Sequence, residues 1–195
     1  MRNTICHKVS LAVIAFACLA TCSLWAQQPA TKRAAKAAAK PEEHTLAHDI
    51  RHQLQVLPYY SVFDYIAFTL DGGKVTLIGQ VVRPTLRTTA EATMKSIEGV
   101  TAVNNLIEVL PKSPADDELR RRVYRAIFED AALQRYAVPD VPAIHIILKD
   151  AAVTLEGAVA SESDKNLAAT RAASIDGVSG VKNNLTIRTR EAAAN

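Results

Sequence analysis

The sequence predicts an α+β protein of two tandem α-β-β-α-β units, each a small three-stranded sheet with two helices on one face. Two observations predict it. Shifting the 195-residue chain by 78 positions lays Ile66–Val109 on Ile144–Ile187 without a gap, with 14 of 44 positions identical, where chance gives about three. The apolar period also changes from about four to two and back, in the same order in both copies.

Each copy opens on a helix. Pro41 suits a first helical position, Glu42 and Glu43 suit the positive end of the helix dipole, and Leu46, Ile50 and Leu54 recur every four residues. In the second copy Asp116, Asp117 and Glu118 open the helix, and Leu119, Val123 and Ile127 form the stripe. A strand pair follows. Ile66, Phe68 and Leu70 alternate with Ala67 and Thr69, Asp71-Gly72-Gly73 makes a hairpin turn, and Val75, Leu77, Gly79 and Val81 alternate again. The second copy reads Ile144, Ile146 and Leu148, a turn at Lys149-Asp150-Ala151 that lacks glycine, then Val153, Leu155, Gly157 and Val159. Gly79 and Gly157 are expected where a helix crosses the inward face closely.

The next helix turns Leu86, Ala90, Met94 and Ile97 inward in the first copy, and Ala168, Ala172 and Ile175 in the second. Gly99 and Gly177 stand where a helix stops on a left-handed residue. The last strands are expected at Val103–Val109 and Val181–Ile187. Pro111-Lys112-Ser113-Pro114 is a short stiff join, and the loop before the second unit's first strand, Asp130–Ala143, is longer than its counterpart. The expected division is a signal peptide at 1–26, an Ala/Lys-rich tether at 27–41, a first domain at 42–110, a linker at 111–115, a second domain at 116–188 and a tail at 189–195.

Residues 1–26 read as an export signal: Arg2 and Lys8 precede the apolar run Val9–Ala20, and Ala26 offers a small residue before a cut at Gln27. The run is short for a spanning helix, which needs about 20 apolar residues. Cys6, Cys18 and Cys22 all fall inside it, so a chain starting at Gln27 has no cysteine for a disulfide or thiolate site. Leu19-Ala20-Thr21-Cys22 resembles a lipoprotein box, from which Thr21 departs, and makes Cys22 the candidate for lipidation.

Charge narrows the function classes. The formal net charge of +3 comes from the leader and tether: residues 41–110 carry 5 basic and 8 acidic residues, net −3, and residues 111–195 carry 12 of each, net 0. Duplex nucleic acid needs a concentrated basic face, so nucleic acid is not an expected partner.

The pattern V-T-L-x-G-x-V…A…I-x-G-V-x-x-V-x-N, at Val75–Asn105 and again at Val153–Asn183, resembles the BON (bacterial OsmY and nodulation) domain. The resemblance covers nearly the whole chain after residue 41, in the layout of dual-BON periplasmic proteins. It implies a periplasmic, non-enzymatic protein without cofactor, soluble or anchored at the outer membrane. The role implied is envelope maintenance or osmotic stress, with anionic phospholipid of the inner leaflet or envelope proteins as partners.

Candidate side chains divide as follows. His44, His48 and His52 form one water-facing stripe at a spacing that suits Zn²⁺, Cu²⁺ or Ni²⁺, but a fourth ligand is not evident and no metal site is expected. Arg120, Arg121, Arg122 and Arg125 look like a headgroup patch, yet Asp116, Asp117 and Glu118 precede the first three by four residues, as on a solvated face. Lys165 and Arg171, with Leu167 facing out between them, are the lipid-contact candidates. Tyr59, Tyr60, Phe63 and Tyr65 cluster before the first strand as packing residues or an exposed partner surface. Motifs for a nucleophilic serine, a phosphate loop or a zinc protease are missing, so no catalytic residue is expected.

Overall fold

The computed structural model describes residues 41–137 and 143–188. The leader, the tether and Cys22 lie outside them. Five elements build the first repeat: α1 (Pro41–Gln55), β1 (Tyr65–Asp71), β2 (Lys74–Val81), α2 (Pro84–Lys95) and β3 (Ala102–Val109). The second repeat has α3 (Pro114–Phe128), β4 (Ile144–Lys149), β5 (Ala152–Val159), α4 (Glu162–Ala173), β6 (Gly180–Asn183) and β7 (Thr186–Ile187). A 3₁₀ turn, Gln134–Tyr136, interrupts its long loop. The described residues fall in one compact unit that holds two separate sheets.

The repeated residues fill the same ladder positions in both sheets. β1 and β4 run antiparallel to β2 and β5, pairing Ile66 with Gly79 and Ile144 with Gly157. β3 and β6 run parallel to β2 and β5, pairing Leu77 with Asn105 and Leu155 with Asn183. Period-two alternation puts Val75, Leu77 and Val81 into one core with Ile50, Leu86, Ala90 and Met94. Val153, Leu155 and Val159 enter a second core with Val123, Ile127, Ala168 and Ala172. Burying each such aliphatic chain contributes about 1.5–3 kcal/mol.

Local chemistry departs from the sequence reading at five points. First, α3 starts at Pro114, because the Ser113 hydroxyl caps it by accepting from Asp116 N at 3.2 Å. Second, the β4–β5 turn holds two non-glycine residues at positive φ, Asp150 at 51° and Ala151 at 61°. The buried Asp116 carboxylate accepts from both of their N–H groups at 3.2 Å, offsetting the left-handed strain that Gly72 and Gly73 avoid in the first repeat.

Third, Gly79 and Gly157 make room for a neighbouring strand and not for a crossing helix. Their φ values are 134° and 120°, and an added Cβ would stand 2.0 Å from the Tyr65 carbonyl oxygen and 2.2 Å from that of Ala143. Gly99 and Gly177, after α2 and α4, have φ 90° and 95°. Fourth, Arg120 is buried and not on the solvated face. It donates through Nη1 to Asp117 and through Nη2 to the Leu148 carbonyl. With Asp116 committed to the turn, the realised ion pairs span three residues, Asp117–Arg120 and Glu118–Arg121. Fifth, the expected strand Val181–Ile187 is broken at Asn184 and Leu185 into β6 and β7.

Candidate functional site

The two repeats meet through the segment between α1 and β1. Asp64, 1 % exposed, makes that segment rigid: its carboxylate accepts from Ser61 N at 3.1 Å, Ser61 Oγ at 2.6 Å and Val82 N at 2.8 Å. The carbonyl of Val62, so presented, accepts from Ile146 N at 2.7 Å and occupies the otherwise open edge of β4. Val62 and Phe63 pack on the second core, and the Phe63 ring lies 6.1 Å from that of Tyr124 on α3.

Beside that bond, His145 is wedged against repeat 1. It is 6 % exposed, with its ring 5.5 Å from Tyr60 and 5.6 Å from Tyr65. Nδ1 is buried without a hydrogen-bond partner. Burial pushes the His145 imidazole below its ordinary value, against an upward pull from the backbone of Asp64 and Ser61. Burial likewise raises the Tyr60 phenol, against the hydrogen bond from Ile66 N, and raises Tyr65, with Glu156 adding to it. At the other end of β4, Lys149 Nζ meets Glu108 Oε1 at 2.6 Å, and Gln80 Nε2 donates to the same carboxylate at 3.0 Å. The Lys149 bond, then that from Gln80, holds Glu108 below the usual carboxylate range. A cleft of about 640 Å³ borders His145, with Tyr65, Glu156 and Arg51 in its walls.

The same segment creates a second feature. A cavity of about 170 Å³ brings Arg83 of repeat 1 together with Phe63, Asp64, Asp117, Arg120 and Arg121. It adjoins a shallow site formed by Phe63, Arg121, Tyr124, Arg125 and Glu129. Arg83 sits 5.2 Å over the Tyr59 ring, which is 73 % exposed, and Tyr124 is 37 % exposed. Of Arg83, Arg121 and Arg125, only Arg121 has an ion pair among the described residues. Cations beside exposed tyrosines form a surface suited to the boundary between water and an apolar phase.

The lipid-contact residues expected on α4 are placed less favourably. Leu167 packs against the second core instead of facing out, because α4 is too alanine-rich to cover the sheet without it. Arg171 is tied to Asp130 at 2.7 Å. Lys165 is half-buried, and its carbonyl accepts from Asn183. His44, His48 and His52 are exposed on α1, and His48 Nδ1 lies 3.4 Å from Asp49. Among the described residues no group of three or more His, Cys, Asp or Glu is arranged to hold a metal, and no helix is long and apolar enough to cross a membrane.

Sequence reasoning missed His145, and missed that Arg83 joins the α3 arginines. One signal was present: Ile144–Leu148 is apolar at positions facing both sides of the sheet, save for His145, whereas Ile66–Leu70 alternates. A strand buried on both faces has that composition.

The model of the BON domain matches the chain twice, over residues 44–111 and 115–189. The chain belongs to the BON domain family. Modules of this family occur in periplasmic and envelope proteins and bind phospholipid. No curated protein matches the chain. Similar solved structures include the C-terminal domain of CdsD, a structural protein of the type III secretion system of Chlamydia trachomatis. It is 13 % identical with a TM-score of 0.31, over 74 % of this chain and 98 % of that one. A second CdsD structure is 16 % identical with a TM-score of 0.29, over 76 % and 95 %. Likeness at that level carries no argument about this BON protein.

Proposed function

We propose that this two-BON chain is a non-enzymatic envelope protein, periplasmic or held at the outer membrane, that binds anionic phospholipid through the seam face. Arg83, Arg121 and Arg125 would meet headgroups while Tyr59 and Tyr124 enter the interfacial layer. The observation carrying this reading is the junction itself: three arginines and two exposed tyrosines, drawn from both repeats, share one surface beside Phe63. Each basic residue near an anionic surface contributes about 1 kcal/mol, and dissolved salt screens that attraction.

The test is vesicle flotation of the full chain on phosphatidylglycerol-containing and pure phosphatidylcholine vesicles. Binding to the former alone, weakened by salt and lost in Arg121→Glu/Arg125→Glu, supports the seam face. Loss in Lys165→Glu, with the arginine variant unchanged, moves the contact to α4. No flotation at low salt removes the lipid reading.

A second reading is a scaffold that docks on envelope proteins. One observation favours it: Ile78 and Leu106, ladder partners on the outer face of the first sheet, are 42 % and 58 % exposed. Repeat 2 has Glu156 and Asn184 there, hydrogen-bonded at 2.6 Å.

A further inference from the structure

We propose that His145 is an acid-operated latch between the repeats: its protonation releases the segment around Val62 from β4 and lets the two BON units separate. The proposal goes beyond the lipid reading and does not depend on it.

The contact is built for a neutral ring. His145 is on the outer face of β4, where a side chain of a lone repeat would meet water, and repeat 1 covers it with Tyr60 and Tyr65. A neutral imidazole has one N–H and one lone pair, whereas the imidazolium has two N–H donors. Nδ1 lies buried and unpartnered, so a proton arriving there places a charge and an unsatisfied donor in the interface. The Asp64 carboxylate and the backbone of Asp64 and Ser61 favour the charged ring, but burial outweighs them. Asp64 is also committed to Ser61 and Val82, both tyrosines are neutral near neutral pH, and Glu156, the ladder partner of His145 on β5, accepts from Asn184. Arg51 of α1 and Arg188 after β7, which line the adjoining cleft, add like charge. Separation of the repeats returns the ring to water, where protonation carries no penalty.

The sign follows from linkage. The docked form disfavours the proton, so docking is fully supported above the ordinary histidine value of about 6.5 and weakens as pH falls below it. Between that value and the lower docked midpoint, the separated population grows about tenfold per pH unit, the limit for one proton. The Lys149–Glu108 pair stays ionised in that window and does not produce the effect, because its carboxylate is held low.

The experiment is a lipid-free NMR titration of the full chain from pH 7.5 to 4.5. It follows the His145 ring, the Tyr60 and Tyr65 ring signals and the Ile146 amide. The expected result is a His145 midpoint below the ordinary histidine value, with the tyrosine and Ile146 signals moving together with it. In His145→Gln those signals should stay docked through the same range. A His145 midpoint at the ordinary value, or tyrosine and Ile146 signals that ignore its titration, overturns the latch. So does a folded His145→Gln that opens at the same pH. Should that variant not fold, the wild-type titration alone decides.

Discussion

Asn183 Nδ2 donates to the Lys165 carbonyl at 2.8 Å, and one repeat earlier Asn105 Nδ2 donates to the Arg87 carbonyl at 3.0 Å. In both repeats the asparagine Oδ1 also accepts from the amide two residues on, Leu185 at 3.2 Å and Ile107 at 3.1 Å. One side chain therefore stitches the third strand to a mid-helix carbonyl while satisfying its own strand. A donor and an acceptor at fixed spacing are needed, which asparagine supplies and aspartate does not. Replacing Asn183 by Ala should cost about 1–3 kcal/mol in urea unfolding, and Asn183→Asp should recover little of it.

Gly157→Ala should be far more damaging than its size suggests. The new Cβ would stand 2.2 Å from backbone oxygen at a φ of 120°, so strand and rotamer adjustment cannot relieve it. A loss on the order of 3 kcal/mol or more is expected, with the same outcome at Gly79. Gly180→Ala is the control, since nothing lies within 4 Å of its Cβ position. Thermal unfolding of the three variants in parallel reads the contrast.

The β4–β5 turn offers a rescue. Asp116→Ala removes the acceptor for the Asp150 and Ala151 amides and should cost about 1–3 kcal/mol. Ala151→Gly relieves left-handed strain worth about 1 kcal/mol, so it should stabilise the wild type and recover part of the Asp116→Ala loss. Equal, additive destabilisation by both changes in a double-mutant cycle would refute the compensation.

Acid acts on a second buried group. Burial alone would raise the Asp164 carboxyl, but hydrogen bonds from Tyr136, Ser161 and Arg135 outweigh it and hold the group low. A carboxylate depressed in the fold contributes stability above its unfolded value, about 3.9, and that stability is lost as pH falls through the folded value. Asp164→Asn should therefore be less stable than wild type at neutral pH, and the gap should close in strong acid. The Tyr136 hydroxyl, which accepts from Ala160 N at 2.8 Å and donates to Asp164, ties this to the start of α4.

The fold was legible wherever a residue type has one structural use at a given period. Ile66, Val75, Leu77 and Val81 alternate because the strand pleat alternates, and their counterparts Ile144, Val153, Leu155 and Val159 occupy the same ladder. Residues with several possible partners were not legible. Asp116 fits equally an i, i+4 pair with Arg120 and a turn acceptor, and only the position of Asp150 decides between them. The seam escaped for a related reason: repeat comparison reveals what two copies share, whereas His145, Arg83 and Tyr124 owe their surroundings to the difference between them. Leu167 fails the outward expectation because periodicity on an alanine-rich helix gives little contrast between faces.

The two BON repeats are docked, with Val62 capping the edge of β4, and amide hydrogen exchange at Ile146, in the full chain at neutral pH, tests that docking directly. The expected result is protection of Ile146 comparable to that of the core strand residues Val153 and Leu155. Exchange at the rate of an exposed, unpaired edge amide would mean that the repeats are independent, and the seam face and the His145 latch would go with that contact.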